Sequence, residues 1–98
     1  PKMLIDTIHA HRDELSALAK QYGARRLRVF GSVARREEGP DSDVDFLVDF
    51  PAGYDLFLQR IPLSDRLAEF VGRKVDLIPE HELNKHIRPY VLQEAVDL

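Results

Sequence analysis

Cysteine is missing from the 98-residue chain, which excludes disulfides and thiolate-ligated metal sites and fits a reducing cytoplasm. Long apolar runs are missing too. Nothing approaches the roughly 18 residues that a membrane span needs, and the first residues show no signal-peptide pattern. There is no internal repeat, low-complexity tract or linker-like stretch. An excess of positive charge is also lacking. A formal net charge of −3 leaves no basic footprint of the kind broad nucleic-acid binding produces, so nucleic acid is not expected as a direct ligand. The expectation is a cytoplasmic protein that does not engage a membrane.

What is present is the make-up of an ordinary globular domain. A hydrophobic share of 44% suffices for one core, and a single domain over residues 1–98 is expected. So small a domain buries a modest fraction of its surface, which favours an obligate partner or a homo-oligomer.

Residues 4–22 place Leu4, Ile5, Ile8, Leu15, Leu18, Ala19 and Tyr22 at three- and four-residue steps, predicting one amphipathic helix that stops at Gly23. Residues 26–30 alternate polar and apolar, the pattern of a half-buried strand. Gly31-Ser32 ends that strand, and residues 33–38 predict a short helix stopped by Gly39-Pro40. Residues 44–50 predict a more buried strand. A helix is expected over 55–71, interrupted or restarted near Pro62. Residues 74–78 predict a third strand, and the chain from about residue 80 a helical region with Pro89 in the first turn of its last helix. This order predicts an α/β (α+β) fold: a small three-stranded mixed sheet with helices packed on it.

Gly31 and Ser32 follow a strand and open a helix. Unpaired backbone N–H groups there suit a phosphate, glycine permits close approach, and the Ser32 hydroxyl adds a donor. A Gly-Ser pair by itself is more often only a turn. Asp43 and Asp45 strengthen the case, because residues two apart on a strand project from one face. Two carboxylates so placed repel unless a cation lies between them, and magnesium takes one or two carboxylates plus substrate phosphates. The plainer alternative has Asp43 capping a turn and Asp45 at a wet sheet edge, although the pair stands at the mouth of the most hydrophobic strand. Asp76 lies between Val75 and Leu77 and shares a face with Ile78. Beside the Asp45 strand it would be a third converging acid, as in two-metal sites; otherwise it is an edge-strand acid facing water.

Gly31-Ser32, ten residues, then Asp43-Val44-Asp45 resembles the G-S-x10-D-x-D pattern of the DNA-polymerase-β-like nucleotidyltransferases. The stretches 30–35 and 42–48 are similar to the minimal nucleotidyltransferase branch, and the resemblance spans nearly the whole chain. It implies the polymerase-β-like fold and metal-dependent nucleotidyl transfer from ATP. Gly31, Ser32, Arg35 and Ser42 become nucleotide contacts. Asp43, Asp45 and Asp76 become catalytic ligands of one or two Mg2+ ions, with Asp76 helping to deprotonate the acceptor. Many relatives carry glycine where this chain has Arg36, which puts the local turn in doubt.

Minimal members of that branch resemble antitoxins paired with a HEPN-type ribonuclease toxin, and some transfer AMP onto a toxin tyrosine. That activity is the leading expectation here. The alternatives are an antitoxin acting by binding alone, and transfer to a small molecule; the enzymes of the latter kind generally carry an extra helical domain. His9, His11, His81 and His86 lack the spacing of a zinc set and are expected at the surface. Arg25, Arg26 and Arg28 are expected on a solvated sheet edge. Tyr54, Phe57 and Tyr90 could be core or partner-facing.

Overall fold

The computed structural model describes residues 2–98. Helices α1 (Leu4–Ala10) and α2 (Arg12–Gln21) are followed by β1 (Arg26–Phe30), α3 (Gly31–Ala34) and β2 (Val44–Asp49). A π-helical turn (Leu56–Arg60) leads into α4 (Ile61–Val71), then β3 (Val75–Pro79), a 3-10 turn (Glu80–Glu82), α5 (Arg88–Glu94) and β4 (Val96–Asp97).

The sheet has four strands, not the expected three, in the order β3-β2-β1-β4. β1 runs antiparallel to β2 and β4, and β2 runs parallel to β3, so the sheet is mixed as predicted. The fourth strand escaped the sequence because it has two residues, too few to show a period. Its place on β1 is secured by Arg26, whose guanidinium grips both oxygens of Asp97 at 2.9 and 2.8 Å.

The single helix expected over 4–22 is two, bent at His11. Ile8 and Leu15, seven residues apart, both fall into the core, so the apolar spacing reads straight through the bend. The helix expected over 33–38 instead starts at Gly31 and has ended by Arg36, which takes a left-handed φ of 61°. Asp6 on α1 holds that arginine in a two-pronged ion pair at 2.7 and 3.0 Å. The restart near Pro62 is present, with proline in the first turn of α4, where its missing N–H costs no hydrogen bond.

Helices α1, α2 and α4 bury one face of the sheet. Ile5, Ile8, Leu15, Ala19, Leu63 and Leu67 meet Val29, Val44, Phe46, Val48 and Leu77 from the strands. The opposite face carries the polar alternates together with the buried Leu47, and part of it lies under the 3-10 turn. Arg25 and Arg26 are exposed as expected, but Arg28 is buried, 8% accessible. Its Nη2 donates to Glu80 at 2.8 Å, and Arg88 donates to the Glu80 carbonyl, so this pair bolts the 3-10 turn over the sheet.

Glu80→Ala should cost about 3 kcal/mol in chemical denaturation, because it strands a buried guanidinium. The Arg28→Met/Glu80→Leu pair should recover most of that loss.

Candidate active site

Register places the site. In the antiparallel ladder Phe30 pairs with Asp45, and in the parallel ladder Asp45 pairs with Asp76. The glycine turn after β1 and the acids of β2 and β3 therefore meet at one end of the sheet, on the face away from the three helices. Asp76 shares that face with Ile78, while Leu77 points into the core.

Gly31 has φ 74°, a left-handed conformation that glycine adopts without strain. The Asp45 carboxylate lies against its Cα, in the space that a Cβ would fill. Ser32 follows, half-buried in the first turn of α3. Arg35, just past that turn, pairs with Glu37 at 2.9 Å and with Glu94. Its guanidinium is held even more firmly protonated by these partners, Glu94 first.

Burial raises the Asp45 pKa from 3.8 to about 6, with further contributions from the charges of Asp76 and Asp43, an Asp45–Asp76 hydrogen bond and the charge of Glu94. Asp43 stands one residue before β2 with its carboxylate 3.9 Å from Lys74. The structure thus brings Asp45 and Asp76 side by side, with Asp43 close enough to be felt but turned toward Lys74. Ser42 serves its own loop: its hydroxyl accepts the Gly39 N–H at 2.8 Å, and Arg73 donates to the carbonyls of Gly39 and Ser42.

Among the described residues no three His, Asp or Glu side chains enclose an ion as they stand. The donor set still suits magnesium, which needs one or two carboxylates and completes its octahedron with phosphate oxygens and water. A cation bound there would offset the negative charges of Asp76 and Asp43 that, after burial, raise the Asp45 pKa.

Beside the acids opens a pocket of about 410 Å³. Asp45 and Asp76 share its lining with Phe30, Ile78, Leu83 and Ile87. The apolar members were not foreseen in the sequence, because they come from three separate segments. Glu94 was missed as well: one of its oxygens accepts the Gly31 N–H at 2.7 Å and the other meets Arg35. Nothing local marks that glutamate.

The nucleotidyltransferase domain model matches residues 8–98. The chain belongs to this family. Protein adenylyltransferase MntA of Thermococcus cleftensis is 41% identical over 87 residues, covering 89% of this chain and 84% of that protein. A solved structure described as a minimal nucleotidyltransferase superposes with a TM-score of 0.82 at 41% identity, covering 95% and 94% of the two chains. A toxin–antitoxin crystal structure with AMP-PNP shares the fold, with a TM-score of 0.73 at 19% identity, covering 88% and 70%. The nucleotidyltransferase fold expected from the sequence is therefore the fold of this protein, with one more strand.

Asp45 also sets a pH dependence. Its folded-state pKa of about 6 lies above the ordinary 3.8, so folding favours the protonated acid. Without metal, its contribution to stability is full below about pH 4 and is lost as pH rises through about 6. Asp45→Asn should flatten that part of the stability–pH curve and stabilise the metal-free fold at pH 7–8 by about 1 kcal/mol, a figure discounted for solvent screening. Gly31→Ala should instead cost about 1–3 kcal/mol in urea denaturation, since it forces a side chain into a left-handed residue and against Asp45.

Proposed function

We propose that this nucleotidyltransferase moves AMP from ATP onto a protein, a tyrosine hydroxyl of a HEPN-type ribonuclease toxin, and so acts as its antitoxin. The observation that carries this reading is the Asp45–Asp76 pair in the lining of a pocket whose other walls are mostly apolar, with Glu82 and Asn84 among them. A hydroxyl carried on an aromatic ring suits that pocket: the ring packs on Phe30, Ile78, Leu83 and Ile87 while its oxygen reaches the acids. The adenylyltransferase name of the Thermococcus relative supports the reaction class, and the AMP-PNP in the toxin–antitoxin neighbour supports ATP as donor. Phe57, Leu58 and Tyr90 are each about three-quarters exposed, which accords with a protein partner more than with a small acceptor.

In this scheme the Gly31 N–H, the Ser32 hydroxyl and Arg35 receive the phosphates, and Ser42 contributes by holding the loop that carries Asp43. Magnesium, held by Asp43, Asp45 and Asp76 with phosphate oxygens, would neutralise charge on the triphosphate and on the attacking oxygen. The acceptor oxygen bonds to the α-phosphorus, the α–β phosphoanhydride breaks, and pyrophosphate leaves with the bonding electron pair. The hydroxyl proton passes to Asp76.

Incubation with ATP, magnesium and the toxin encoded beside this chain should raise the toxin's intact mass by one or more AMP units. Asp43→Asn should slow that gain by about a hundredfold or more. An unchanged mass, with a stable complex that still blocks the toxin, would leave an antitoxin that acts by binding alone.

A further inference from the structure

Glu94 occupies the place where the phosphates are expected. It ends α5, far along the chain from the glycine turn, yet its carboxylate bridges the Gly31 N–H and the Arg35 guanidinium. Those two groups have the geometry of a small anion site, and the anion in it belongs to the protein. We infer that Glu94 is an internal stand-in for phosphate, which the incoming triphosphate must displace before the site can work. This inference rests on Gly31 and Arg35 being phosphate contacts.

Two features distinguish such an occupant from a simple fastener. First, neither partner depends on it for a place in the fold. Arg35 keeps Glu37, and Gly31 is held by the strand before it and the helix after it. Second, the C-terminal segment is secured without it: Val91 is buried, β4 pairs with β1, and Arg26 clasps Asp97. Withdrawal therefore needs a side-chain rotation and fraying of the last turn of α5, and no larger unfolding. The Glu94 side chain is 24% accessible, so water can take over the released carboxylate.

The consequence is a competition whose size can be read as affinity. Isothermal titration of the full chain with ATP and magnesium chloride should show Glu94→Gln binding about fivefold or more tightly than the wild type, within the usual range of coupled-site effects. Inorganic triphosphate should show the same ordering, because the competition is for phosphate and not for the base. Equal or weaker binding by the variant, with measurable binding by the wild type, overturns the inference and leaves Glu94 a fastener. Absence of binding by both proteins overturns the phosphate reading of Gly31 and Arg35 itself. If Glu94→Gln does not fold, hydrogen exchange of the wild type decides. Saturating ATP and magnesium should slow exchange around residues 31–36 and speed it through the last turn of α5. Unchanged or slower exchange in that turn refutes displacement.

Discussion

The parallel ladder between β2 and β3 sets Asp45 beside Asp76, and most of the site depends on that register. A slip of β3 by one residue would turn Asp76 toward the core and bring an apolar neighbour, Val75 or Leu77, to the site beside Asp45. The antiparallel ladder with β1 then brings the strand end at Phe30 alongside Asp45, and the chain turns at Gly31 directly against that carboxylate. Two strand pairings and one residue without a Cβ therefore gather the glycine turn and the acids within a few ångströms. The like charges thrown together are what the proposed chemistry requires. Their mutual repulsion is borne by a sheet whose other face is packed by three helices.

The division between what local sequence shows and what it hides follows from this construction. The apolar run within residues 44–50 is enough to locate β2, which at Leu47 is buried on its second face too, and alternation over residues 26–30 is enough to locate β1. The position of Asp76 on the Ile78 face was legible for the same reason. Parallel pairing of β2 with β3 was not legible, since nothing in either strand specifies its neighbour. β4 is too short to have a pattern, and Arg28 reads as a surface residue until Glu80 is brought over it from 52 positions away. Glu94 and the apolar walls depend on contacts of the same kind. Local periodicity yields elements and faces; partners across the fold emerge only on assembly.

Charged side chains also shape the walls of the pocket. Arg60 reaches Glu82 and the Tyr54 hydroxyl, and Tyr54 stacks on Phe50 with ring centroids 4.9 Å apart. Burial raises the Tyr54 pKa, and its bond to Glu82 adds to the effect. With Arg28 gripping Glu80, these contacts hold the segment after β3 by both of its acids. Of these, the exposed Arg60–Glu82 pair adds little to global stability, unlike the buried Arg28–Glu80 pair. They fix where a short, irregular stretch sits, and that stretch contributes Leu83 and Ile87 to the pocket.

Arg36 carries a last consequence, for how sequences of this type can drift. It holds a left-handed backbone, a conformation that glycine adopts without strain, and its guanidinium is tied to Asp6 on the first helix. A glycine there makes Asp6 expendable; an arginine gives Asp6 a reason to stay. The two positions are separated by 30 residues and by a helix boundary, yet the order in which they mutate matters. Arginine entering before the aspartate would have to bear the backbone strain alone, so this pair should covary in homologues as an epistatic unit even though neither residue touches the chemistry.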